Sequence, residues 1–131
     1  MSSKGWIGVD LDGTLAVYEG WKGIHHIGEP VELVLQVVKD LLAADVEVRI
    51  FTARMQEPNA KLWINDWCKK HLGRVLPVTD RKDFSMVGMI DDRAVTVEKN
   101  TGRFLSPLPD LVTLVQGHWQ GADAPSESFN H

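Results

Sequence analysis

Short apolar runs, each closing on polar residues, alternate with segments of helical period along this chain. That alternation restricts its fold more than any other feature. Trp6-Ile-Gly-Val-Asp10 has the pattern of a buried strand running into acidic, glycine-bearing sequence. After Pro30, which suits the first position of a helix, Val31, Val34, Val38, Leu41 and Leu42 recur at helical spacing. Residues 46–51 alternate and then turn fully apolar, which predicts a second strand. A second helix is expected over residues 57–72, with Ala60, Trp63, Ile64, Trp67 and Cys68 as its apolar stripe and Gly73 as its stop. Three more strands are expected: residues 75–78, held to a sheet edge by Pro77, then 86–90 and 94–97. A turn at 99–102 and a last helix over 109–118 follow. Strands alternating with helices pair in parallel through right-handed crossovers, which gives a layered α/β domain.

The 131 residues fit one domain, expected over residues 1–120. Residues 121–131 are rich in Gly, Ala, Ser and Pro and predict a flexible tail. A net charge of -4 argues against a basic nucleic-acid-binding surface. It leaves room for a phosphorylated ligand, because a metal and a few cations can reverse the local field. Cys68 is the single cysteine, so no disulfide framework forms within the chain. No stretch is long and apolar enough for a membrane span, and Met-Ser-Ser-Lys leads straight into a strand rather than a secretory segment. A cytoplasmic location is expected. There is no phosphate loop of the Gly-x-x-x-x-Gly-Lys kind and no zinc-binding pattern.

In parallel sheets chemistry gathers beyond the carboxyl ends of the strands. Three strands end here in polar clusters: residues 10–14, residues 52–54, and Asp91 with Asp92. Asp10 and Asp12, two apart in an extended stretch, point the same way and can share one metal ion. Like charges that near are costly without a cation between them. Gly13 permits a tight turn that brings backbone N–H groups toward an oxyanion. An acidic strand end facing water or capping a helix is the competing reading. Asp91 and Asp92 bring further hard oxygen ligands, which suit magnesium. Thr52 offers a hydroxyl to a phosphoryl oxygen, though capping a helix is equally open to it. Arg54 reads as a substrate contact or a surface charge, and Lys82, Arg81 and Arg93 as three cations able to balance the site. Trp21, His25 and His26 lie in the loop after the first motif, where an indole can stack on a base or sugar and a histidine can meet a second phosphate. Local packing of that loop is the alternative.

Asp-X-Asp-Gly-Thr after an apolar strand, a Thr closing the next strand, a Lys, and an acidic pair after it are four short motifs. With them the chain resembles the haloacid dehalogenase-like superfamily from Trp6 to about Val97. The resemblance implies a three-layer Rossmann-like α/β domain with a mostly parallel central sheet. It also implies a magnesium-dependent phosphate monoester hydrolase. By that resemblance Asp10 is the covalent nucleophile, and Asp12 the general acid/base whose backbone carbonyl also touches the metal. Thr52 and Lys82 hold the phosphate, Asp91 is the magnesium ligand and Asp92 its supporting neighbour. Gly13, Thr14, Ala53, Arg54, Trp21 and His25 are the expected substrate contacts. Carboxylates at both Asp10 and Asp12 resemble the phosphatase and phosphotransferase branches. The gaps after Thr14 and after Arg54 are too short for a large cap domain, so the chain resembles the capless members. In those members a macromolecular substrate or a neighbouring subunit closes the site. The implied partners are a phosphorylated small molecule or a nucleic-acid end, a homo-oligomer is possible, and no membrane is involved. A phosphotransferase and a non-catalytic metal- or phosphate-binding domain are the alternatives.

Overall fold

The computed structural model describes residues 4–118. Strands β1 (Trp6–Asp10), β2 (Glu47–Phe51), β3 (Val78–Thr79) and β4 (Met86–Ile90) form one sheet in the order β3-β2-β1-β4, and every pairing is parallel. Val9 stands beside Ile50 on one side and Ile90 on the other, and Asp10 beside Phe51. The register therefore brings the ends of β1, β2 and β4 to a single edge. Helices α1 (Glu32–Ala43) and α2 (Ala60–Leu72) supply the crossovers, and a short helix α3 (Leu111–Gly117) closes the described chain.

One cluster holds Leu35 and Val38 of α1, Ala60, Ile64, Trp67 and Cys68 of α2, and Val9, Val48, Ile50 and Val78 of the sheet. Both helices thus lie on the sheet face that these alternate strand residues share. The opposite face carries Trp6, which is fully buried under the Arg49 guanidinium, 4.4 Å from the ring centroid. Residues 80–85 cross this face as a strap, anchored where the Trp6 indole N–H donates to Asp83 Oδ1 at 2.8 Å and Arg49 pairs with Asp83 at 3.5 Å. The result is a small Rossmann-like α/β domain without a large cap, whose third layer among the described residues is a strap rather than a helix.

Several elements depart from the sequence expectation for physical reasons. Pro30 does not start α1. It sits in a bridge with Ala16, while the Val31 N–H donates to the Leu15 carbonyl at 2.7 Å, so the chain stays extended until Glu32. The second helix begins at Ala60, after a 3₁₀ turn at Ala53–Gln56. Trp63 lies beside the 60, 64, 67, 68 stripe and stays 38% exposed. The third strand is Val78–Thr79, at the edge as Pro77 requires: the Pro77 carbonyl accepts from the Ile50 N–H at 2.8 Å, and its ring has no donor to lose. Residues 94–97 form no sheet strand. Val97 bridges Phe104 across the 99–102 turn, the Glu98 N–H donating to the Arg103 carbonyl and the Leu105 N–H to the Thr96 carbonyl, so the segment pairs within a hairpin. The last helix is shorter than expected, with Asp110 as its cap, accepting from the Thr113 N–H. The expected tail, 121–131, lies outside the described residues.

Candidate active site

Beyond the shared strand edge lies a cavity of about 250 Å³ lined by Asp10, Asp12, Trp21, Thr52, Arg54 and Asp91, with Tyr18, Ala53, Gln56 and Arg93 completing its wall. Carboxylate oxygens of Asp10, Asp91 and Asp92 all lie within 4.8 Å of one another. Burial pushes the Asp10 carboxyl up to about 8, reinforced by the Asp92 hydrogen bond and the charges of Asp91 and Asp92, against a lowering bond from Thr14. A divalent cation removes the repulsion that these groups feel. Three converging carboxylates and no nitrogen or sulfur donor fit magnesium.

The turn after β1 builds this cluster. Gly13 has φ of 87°, and a Cβ there would meet Asp92 Oδ2 at 2.9 Å. A side chain there is strained by the backbone and presses on the acidic pair. Thr14, buried, joins the two ends of the chain's acidic sequence. Its Oγ1 lies 3.2 Å from Asp10 Oδ2 and 2.9 Å from Asp92 Oδ1, and it accepts from the Asp92 N–H at 2.9 Å. Its single proton serves one carboxylate at a time. The N–H groups of Gly13 and Thr14 donate to the Ala16 and Leu11 carbonyls, so neither points at a bound anion. The sequence assigned both residues to substrate, and the structure uses them to hold the acidic cluster.

Asp12 and Arg54 form a second unit. Arg54 is 3% exposed and grips Asp12 through both carboxylate oxygens, Nε to Oδ2 at 2.7 Å and Nη2 to Oδ1 at 2.9 Å. Its Nη1 donates to the Ile24 carbonyl at 3.2 Å and Nη2 to the His26 carbonyl at 2.8 Å. The guanidinium lies 4.9 Å from the Trp21 ring centroid. Arg54 is therefore neither a surface charge nor a free substrate contact; it orients Asp12 and ties the 18–28 loop to it. Trp67 helps from below, its indole N–H donating to the Gly28 carbonyl at 2.8 Å. Gly28 passes so close to Val17 that any Cβ would overlap the Val17 carbonyl oxygen. With its carboxylate engaged by Arg54, Asp12 stands outside the three-carboxylate cluster, and Asp92, expected behind the metal, is inside it.

Thr52 caps the turn that follows β2 and also lines the cavity. Its hydroxyl oxygen accepts from the Arg54 N–H at 3.1 Å, capping the 3₁₀ turn, and its proton stays available to the cavity it lines. Ala53 lines the cavity beside it. His25 is exposed and does not line it; its ring meets Trp63 edge-on at 6.1 Å.

Lys82 is also elsewhere. Its neighbour Asp83 is pinned to Trp6 at the start of β1, whereas Asp10 ends that strand, roughly 13 Å away at about 3.3 Å per residue. The strap carries Lys82 away from the chemistry because no helix intervenes between β3 and β4 to return it. Tyr18 and Gln56 line the cavity without a sequence signal. Arg93, one of three cations left open, lines it too.

A solved structure of a conserved protein from Bacteroides thetaiotaomicron shares 18% identity with this chain. The match covers 87% of this chain and 88% of that one, with a TM-score of 0.55. A likeness at that identity shows the fold. No family model and no curated protein matches the chain. No helix among the described residues is long and apolar enough to cross a membrane.

Proposed function

We propose that the protein is a magnesium-dependent phosphate monoester hydrolase of the haloacid dehalogenase-like kind, acting on a phosphorylated small molecule or a nucleic-acid end. The supporting observation is the convergence of Asp10, Asp91 and Asp92 within 4.8 Å at a strand edge that opens into a cavity beside a fixed Asp12. In this reading Asp10 attacks phosphorus in line with the leaving oxygen, forming an aspartyl phosphate as the P–O bond to the leaving group breaks. Asp12, oriented by Arg54, is the acid/base of this reading: a proton taken up from solvent on its carboxylate passes to the leaving oxygen, and the carboxylate so restored takes one from the water that hydrolyses the aspartyl phosphate. Thr52 donates its hydroxyl to a phosphoryl oxygen, and Trp21 and Tyr18 wall the cavity that receives the substrate. Asp10, Asp91 and Asp92 would hold magnesium, which supplies positive charge against the dianionic substrate.

The test is turnover of an aryl phosphate with magnesium and with a chelator, alongside trapping of the phosphorylated protein. We expect hydrolysis only with the metal, and loss of both turnover and adduct in Asp10→Asn. Full metal-dependent turnover by Asp10→Asn in a clean preparation overturns the proposal. Adding alcohols or nucleosides as acceptors separates hydrolysis from phosphotransfer.

A further inference from the structure

We infer that Arg93 is the side chain that meets the transferred phosphoryl group. The inference rests on the phosphatase reading and names its phosphate contact. A phosphate monoester dianion entering this cavity meets the carboxylates of Asp10 and Asp91, with Asp92 within 4.8 Å of both, while the Asp12 charge is already paired with Arg54. One divalent ion does not offset that charge, so a further cation has to face the substrate. Among the described residues only Arg54 and Arg93 bring a positive charge to the cavity wall.

Arg54 is already engaged: it is 3% exposed, bound through both oxygens of Asp12 and bonded to two loop carbonyls. Turning it toward a ligand would break all of these at once. Lys82 does not line the cavity, its neighbour Asp83 being held to Trp6 at the start of β1, and Arg81, with a 91% exposed side chain, sits on the same strap. Arg93 differs in each respect. Its backbone N–H donates to Asp91 Oδ1 at 2.8 Å, which fixes its Cα beside the acidic cluster at the chemical edge of β4. Its side chain is exposed and makes no hydrogen bond or ion pair among the described residues. The guanidinium is therefore free to swing over the cavity and present two parallel N–H groups to phosphoryl oxygens, a geometry that lysine lacks.

The test compares Arg93→Ala, Arg93→Lys and Lys82→Ala by two readouts: aryl phosphate kinetics, and calorimetric titration of inorganic phosphate into magnesium-loaded protein. Far-UV circular dichroism and magnesium affinity check that the exposed substitution leaves the fold and the carboxylate cluster intact. We expect Arg93→Ala to weaken inorganic phosphate at least about tenfold and to lower kcat/KM about a hundredfold. Arg93→Lys should recover part of both. Phosphate affinity in Arg93→Ala equal to that of the unaltered protein overturns the assignment, as does loss of phosphate binding in Lys82→Ala alone. Phosphate binding that depends on Arg93 without any turnover sinks the hydrolase reading and leaves the contact standing. Turnover indifferent to Arg93 does the reverse.

Discussion

Removing Arg54 should disturb this domain strongly, and the cost follows from its contacts. Replacing it by alanine leaves the Asp12 carboxylate, the Ile24 carbonyl and the His26 carbonyl without their donors and strips the guanidinium from Trp21. Breaking a buried ion pair by removing one partner costs about 3–5 kcal/mol. Asp12 retains 21% exposure and can recruit water, which places the loss near the lower bound, at about 3 kcal/mol. That is a large part of the 5–15 kcal/mol that holds an ordinary domain folded, and corresponds to a fall in Tm of roughly 10 °C. Urea unfolding followed by tryptophan fluorescence measures it. The cycle with Asp12→Asn isolates the pair, for which we expect a coupling of about 2 kcal/mol. Hydrogen exchange should quicken in the 18–28 loop while the β1 amides stay protected. Additive single substitutions, with coupling below about 0.5 kcal/mol, would refute the clamp.

Two further outcomes are expected from the acidic cluster. Without metal the Asp10 carboxyl, raised to about 8 in the folded state from 3.8, holds a proton that the unfolded chain has already released at neutral pH. The folded state binds more protons across that window, so metal-free stability falls as pH rises from about 4 through about 8. Magnesium displaces the proton, so its increment in Tm should grow between about pH 6 and about pH 8, with roughly one proton released on binding at neutral pH. A pH-independent increment contradicts this. Gly13→Ala places a Cβ 2.9 Å from Asp92 Oδ2 on a backbone with φ of 87°. It should cost about 1–2 kcal/mol and weaken magnesium about tenfold or more, as read by urea unfolding and calorimetry. Unchanged magnesium affinity argues against Asp92 as a ligand.

What could be read from the residues alone is what depends on local pattern. The strand at Trp6–Asp10, the helical stripe ending at Gly73, the edge position implied by Pro77 and the acidic strand ends are all of that kind, because side-chain period and backbone freedom are properties of a few neighbouring residues. Distance in the chain hides the rest. The pairing of Asp12 with Arg54 spans 42 positions and that of Thr14 with Asp92 spans 78, so nothing near either member announces its partner. Lys82 fits the spacing of a phosphate-binding lysine, yet it does not line the cavity, and the strap that carries it toward β4 is anchored through Asp83 at the start of β1. Local sequence placed the carboxylates at strand ends. Only the parallel register, which brings carboxylate oxygens of those ends within 4.8 Å of one another, decided which of them meet and which cations can face them.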